Sequence, residues 1–169
     1  MADLNPALVP LSLYIHMPWC VRKCPYCDFN SHAVPDGKLS LALEESYLQA
    51  LVADFKTQLD FAQGRQIHSV FIGGGTPSLI SAQGYQWLFS ELKQLIVFEP
   101  NCEITLEANP GTLEHDPFIG YLQAGINRLS IGVQSFNSAH LQKLGRIHSN
   151  EDALNAIHLA QEAGFKRIN

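Results

Sequence analysis

Residues 14–30 read Tyr14-Ile15-His16-Met17-Pro18-Trp19-Cys20-Val21-Arg22-Lys23-Cys24-Pro25-Tyr26-Cys27-Asp28-Phe29-Asn30. A short apolar run at 12–16 predicts a strand, and it leads straight into three cysteines spaced C-x₃-C-x₂-C. Thiolates are soft ligands that select zinc, copper(I) or iron–sulfur centres. Structural zinc wants four closed ligands, usually from two paired knuckles. This chain has one knuckle and no distant second pair. Three cysteines on one loop suit three corners of a [4Fe–4S] cubane and leave one iron without a cysteine, where a small ligand can bind. The alternative is a zinc site completed by His16 or His32. Cys102 stands alone at the start of a later strand and reads as a small buried apolar residue.

Outward from that loop, short apolar runs alternate with amphipathic helices. Strands are expected at 12–16, 69–73, 103–107, 128–132 and from 166 onward. A first helix is expected over 43–62, with Leu48, Leu51, Phe55 and Leu59 recurring on one face. A second starts with Ser81 as N-cap and carries Trp87, Leu88, Leu92 and Leu95. A third is capped by Asp116, with Pro117 in its first position and Gly125 as the left-handed residue past its end. A fourth begins near Ser149–Asp152, with acids in its first turn, and stops at Gly164.

The segment Ala124-Gly125-Ile126-Asn127-Arg128-Leu129 is echoed by Ala163-Gly164-Phe165-Lys166-Arg167-Ile168. Each is a helix end, a glycine stop and a new strand. Alternating strands and helices imply parallel strands joined by right-handed crossovers, either as a barrel or as an open sheet. About four and a half such units are present, and a closed barrel needs more. The expectation is that 1–169 is the N-terminal part of a longer domain, whose remaining strands and any C-terminal domain lie outside it.

After the second strand comes Phe71-Ile72-Gly73-Gly74-Gly75-Thr76-Pro77-Ser78, where glycines let a ligand approach the backbone. Polar residues then recur at strand ends. Glu107-Ala108-Asn109-Pro110 ends the third strand and Gly132-Val133-Gln134-Ser135-Phe136 the fourth, and Leu144-Gly145-Arg146-Ile147-His148 follows a short helix. In a barrel such ends line the site.

The cysteine loop, with Tyr26 just before its third cysteine, resembles that of the radical S-adenosylmethionine (SAM) superfamily. The GGGTP segment and the ordered strand ends resemble its coproporphyrinogen dehydrogenase-like group, which includes oxygen-independent coproporphyrinogen III oxidases and HemW-type haem chaperones. The resemblance implies a partial parallel (β/α) barrel and a [4Fe–4S] cluster on Cys20, Cys24 and Cys27. In that family the free iron binds SAM, and the reduced cluster breaks a carbon–sulfur bond to give a 5′-deoxyadenosyl radical. Expected SAM contacts are Tyr14, Tyr26, Gly73, Gly74, Gly75, Thr76, Glu107, Gln134 and Arg146. A guanidinium suits the methionine carboxylate. Glu107 and Gln134 suit the ammonium or ribose hydroxyls.

The oxidase pattern adds a fourth cysteine two residues beyond the third, where this chain has Phe29. The run Cys27-Asp28-Phe29-Asn30 therefore looks like the HemW type, described as binding haem and passing it to acceptor proteins. The alternative is an oxidase that decarboxylates two propionates of coproporphyrinogen III.

Composition agrees with a globular chain: 169 residues, 46% hydrophobic and 16% charged, enough for a real core. A net charge of −5 gives no electrostatic reason to expect nucleic acid. No apolar run is long enough to span a bilayer. The first residues show no basic stretch followed by an apolar core, so no secretory signal is expected. Three of four cysteines fall within eight residues, which points to metal chemistry in a reducing compartment, the cytoplasm. His68, His115, His140 and His158 have no motif around them and are expected at the surface or in structural roles.

Overall fold

The computed structural model describes residues 5, 8–112 and 117–169. In chain order its elements are β1 (Leu11–Met17), β2 (Trp19–Cys20), β3 (His32–Ala33), α1 (Leu41–Gln58), β4 (Ile67–Gly74), α2 (Ala82–Leu95), β5 (Phe98–Ala108), α3 (Phe118–Gln123), β6 (Arg128–Ile131), α4 (Ser138–Lys143) and α5 (Asn150–Glu162). Strands β1, β4, β5 and β6 form one sheet in that order, and every neighbouring pair is parallel. The order never reverses. With crossovers of constant hand, an unreversed order puts every connecting helix on the same face. The result is a barrel wall rather than a doubly wound sheet.

Period-2 alternation assigns the two faces. Ile15, Met17, Val70, Ile72, Ile104, Leu106, Leu129 and Ile131 are buried under the helices. They pack with Leu48, Val52, Tyr85, Leu88, Phe89, Leu92 and Tyr121 in one continuous core. Burying each such side chain contributes roughly 1.5–3 kcal/mol. The residues between them form the opposite, concave face. There Tyr14 pairs in register with Phe71, and Phe71 with Thr105, while Glu107 pairs with Ser130. Tyr14 and Phe71 stack with ring centroids 6.4 Å apart.

Helix ends follow the local chemistry. Ser40 caps α1 and Ser81 caps α2 through their hydroxyls. The Ser81 N–H also donates to the buried Glu44 carboxylate (3.1 Å), tying α2 to α1. Ser149 and Asp152 form a reciprocal capping box on α5. The echoed segments share one geometry. Gly125 has φ +102° and Gly164 φ +99°. Ile126 N donates to Tyr121 O and Phe165 N to Ala160 O, each at 3.1 Å, the six-to-one bond of a left-handed helix stop.

Several boundaries differ from expectation. Helix α1 ends at Gln58, and residues 59–62 tighten into a 3₁₀ turn. Strand β5 is longer at both ends than 103–107. Pro117 is the N-cap of α3 with extended backbone (ψ 143°), not its first helical residue. Asp116, the expected cap, lies outside the described residues. Trp87 on α2 is 39% exposed. The strand expected from 166 onward does pair in parallel with β6, through Leu129 N to Arg167 O (3.0 Å), Asn169 N to Leu129 O (3.0 Å) and Ile131 N to Asn169 O (2.7 Å).

Candidate metal centre and ligand cleft

The cysteine loop leaves β1 and returns along its own path. Trp19 and Cys20 of β2 pair parallel with His32 and Ala33 of β3, so the loop closes on itself. His16 fastens it to the sheet. Its Nε2 bonds the Asn30 carbonyl at 2.8 Å. A carbonyl only accepts, so Nε2 carries the proton, and Nδ1 accepts from the Tyr14 hydroxyl at 3.0 Å. The Tyr47 hydroxyl donates to the His16 carbonyl. Burial pushes that phenol up to about 12. With both ring nitrogens engaged, His16 is not placed to complete a zinc site. Among the described residues no three or more His, Cys, Asp or Glu side chains are grouped to hold a single metal ion.

The glycine segment lies directly against this loop. Gly75 N donates to Met17 O and Thr76 N to Trp19 O, both at 2.6 Å. A Cβ on Gly75 would sit 2.3 Å from Trp19 O, and one on Gly74 2.6 Å from the His16 ring. Neither separation is compatible with a side chain, so glycine is required for contact between the two segments.

Together these segments form one wall of a cleft of about 310 Å³. Cys20, Cys24, Cys27 and Tyr26 line it on the loop side, and Gly74, Gly75 and Thr76 beside them. Glu107, Gln134 and Arg146 line it from the strand ends. All but two of the residues expected in the site therefore line this one cleft, and the other two adjoin it. Gly73 stands directly against Glu107: a Cβ there would lie 3.0 Å from Glu107 Oε2. The Tyr14 side chain borders the cleft on the concave face: it stacks on Phe71 and bonds His16 beside Gly74, and burial together with the nearby Glu107 carboxylate pushes its phenol up.

Within the cleft, Glu107 Oε2 accepts from Gly74 N at 3.3 Å. Burial raises its carboxyl above the ordinary value, and the Gly74 N–H partly offsets that. Arg146 is the most connected side chain. Its Nη2 donates to Asn109 Oδ1 at 2.5 Å and to Gly132 O at 2.7 Å, and its Nη1 reaches Cys24 Sγ at 3.4 Å. Its Nε is buried with no partner among the described residues. Asn109 also donates to Thr76 Oγ1 at 3.0 Å, which links the end of β5 to the glycine segment. Thr76 is buried, with its N–H donated to Trp19 O and its carbonyl accepting from Leu79 N, so it braces the segment from within.

These residues suit an iron–sulfur cluster. The three loop cysteines are free thiols, they face one cleft, and a guanidinium stands beside Cys24 to balance the charge of a thiolate-bound centre. Cys102 is buried within β5, and burial raises its thiol. His68 and His158 sit at the surface beside Glu99 and Glu162, and His140 is exposed; His115 lies outside the described residues.

Three participants lie in the quoted strand-end segments with no individual role expected of them there: Asn109, the Gly132 carbonyl and His148. Asn109 stands two residues after Glu107 at a strand end, and that position was the available signal. His148 is buried and bonds Val133 O at 3.0 Å.

Residues 14–169 match the family model of the radical SAM superfamily. The chain is 54% identical over 168 residues to the heme chaperone HemW of Haemophilus influenzae, covering 97% of this chain and 43% of that protein. It is 49% identical over 162 residues to the heme chaperone HemW of Escherichia coli, covering 96% and 42%. Among solved structures, the coproporphyrinogen III oxidase HemN of Escherichia coli, a radical SAM enzyme, aligns with a TM-score of 0.83 at 30% identity, covering 98% of this chain and 37% of that one. The chain thus spans less than half the length of these relatives. Among the described residues no helix is long and apolar enough to cross a membrane.

Proposed function

This chain belongs to the radical SAM superfamily, and from that premise we propose that it is the cluster-bearing part of a haem chaperone. Cys20, Cys24 and Cys27 hold a [4Fe–4S] cluster, and SAM lies across the cleft. The full protein binds haem and transfers it to acceptor proteins in the cytoplasm. When bound, the cluster supplies an iron left open by its three thiolates and an electron for SAM. The residues of this chain do the rest. Gly74 and Gly75 admit the ligand to the backbone, Glu107 and Gln134 accept from its ammonium or ribose hydroxyls, and Tyr26 and Arg146 shape the end nearest Cys24.

The observation that carries the choice of chaperone is Phe29. It lines the same cleft as the cysteines and is 49% exposed, at the position where the oxidase pattern has its extra cysteine. The identity to the two HemW proteins supports the same choice. The alternative, an oxygen-independent coproporphyrinogen III oxidase, draws on the likeness to HemN.

The test uses the full-length protein with its cluster reconstituted under anaerobic conditions. SAM, a strong reductant and coproporphyrinogen III are added, and protoporphyrinogen is sought by mass spectrometry. The same preparation is titrated with haem. Stoichiometric haem binding without product supports the chaperone. Product over many turnovers establishes the oxidase and removes the argument from Phe29.

A further inference from the structure

The chain leaving β6 makes an unusual bend at the cleft. Gln134 has φ +65° and is one of two described residues other than glycine with positive φ. Ser135 N donates back to Val133 O at 2.8 Å. A three-residue turn closed this way around a positive φ is the rare, strained hand of the γ-turn. Such a conformation persists only where its surroundings over-determine it, and it concentrates at ligand sites.

Two side chains supply that constraint. Arg146 and His148 are alternate residues, and Ile147 between them is 47% exposed. They grip consecutive carbonyls of the bend. Arg146 Nη2 donates to Gly132 O at 2.7 Å, and His148 Nε2 bonds Val133 O at 3.0 Å. Because a carbonyl only accepts, Nε2 is the protonated nitrogen. Val133 O is therefore held twice, by Ser135 N within the turn and by His148 from outside it. His148 is only 4% exposed, and its Nδ1 is buried with no partner among the described residues. The imidazole thus contributes one hydrogen bond, directed at the residue before Gln134.

We infer that His148 is a positioning residue for the SAM site: by holding the Val133 carbonyl it keeps Gln134 in the left-handed conformation that lines the cleft. The inference rests on the reading that the cleft takes SAM. Without this bond the turn relaxes toward negative φ and the Gln134 side chain leaves the cleft. His148 touches neither the ligand nor the cluster.

The test measures SAM affinity by calorimetry on the reconstituted full-length protein, with iron content and melting temperature alongside. Four variants are compared with wild type: His148→Gln, His148→Phe, Gln134→Ala and His148→Phe with Gln134→Ala. His148→Gln retains an N–H at a similar reach and binds SAM within about threefold of wild type. His148→Phe fills the space without a donor and binds about fivefold to tenfold more weakly, the loss of one hydrogen bond, at unchanged iron content. In the Gln134→Ala background, His148→Phe costs little further affinity, because the two residues act through one contact. The assignment is overturned if His148→Phe binds as wild type does, if His148→Gln loses as much as His148→Phe, if the losses at 134 and 148 add, or if His148→Phe loses its iron. Wild-type protein that binds no SAM at all overturns the reading of the cleft instead, and the inference with it.

Discussion

The Arg146 guanidinium lies 3.4 Å from the Cys24 thiol while its other arm holds Asn109 and Gly132. This single side chain therefore joins the cysteine loop, the end of β5 and the end of β6. Hydrogen bonds to sulfur and nearby positive charge stabilise the reduced, more negative state of a cluster and raise its potential. Arg146→Ala is expected to lower the reduction potential of the reconstituted centre, read by an EPR-monitored redox titration. It is also expected to weaken SAM binding about tenfold or more, the range of a lost charge-assisted bond. Iron content should hold, since Arg146 ligates no iron. An unchanged potential removes the Cys24 contact from the account.

The glycine segment offers a sharper steric prediction. A Cβ on Gly75 would lie 2.3 Å from Trp19 O and 2.9 Å from Met17 O, both backbone atoms. Gly75→Ala must push the cysteine loop away from the sheet, with a cost of roughly 1–3 kcal/mol for the overpacking, and iron retention should fall with it. Gly64 is the control. It has φ +76°, and a Cβ there would meet nothing within 4 Å. Gly64→Ala should cost only about 1 kcal/mol of backbone strain and leave the iron in place. Equal iron retention in the two variants, by ferrozine assay, would sink the argument.

What the sequence revealed and what it hid divide along physical lines. Gly125 and Gly164 announce helix stops because an unusual φ needs glycine, and both fold as expected. The cysteine spacing and the GGGTP segment are local in the chain, so their meeting could be anticipated from strand order alone. The partner of the Tyr14 hydroxyl could not be anticipated the same way: the hydroxyl donates to His16 Nδ1, a preference set by the tautomer that Asn30 O imposes. His148 and Asn109 act on partners 15 and 33 or more residues away. Backbone carbonyls accept from any donor and leave no trace in a residue pattern. Pro117 failed as a first helical residue because the chain is still extended there.

One buried carboxylate adds a polar tie to the apolar packing of α1 on α2. Glu44 accepts from both the N–H and the hydroxyl of Ser81, at the start of the helix that carries Leu88 and Leu92 into the core. Glu44→Ala leaves those donors facing an apolar gap, and a buried donor stranded this way costs roughly 1–3 kcal/mol. The melting temperature should drop, while SAM affinity per folded molecule stays constant, because Glu44 lies away from the cleft. A loss of affinity at full folding would place Glu44 in the ligand site.

Glu107 gives the pH test. Burial is the larger influence and raises its carboxyl above the ordinary 4.5; the Gly74 N–H acts the other way. Between that value and the raised one, the folded chain holds a proton that the unfolded chain has lost. The contribution of Glu107 to stability is therefore full below about pH 4.5 and declines as pH rises through the raised value. Ligand binding has the opposite sign. An ammonium group pairs with the carboxylate and not with the acid, so SAM affinity should rise as pH climbs through the same window and then level off. Calorimetric titrations of the reconstituted full-length protein between weakly acidic and neutral pH would show this slope in wild type. Glu107→Gln should bind more weakly and lack the slope. The same slope in the Gln variant would assign the titrating group elsewhere and take Glu107 out of the ammonium site.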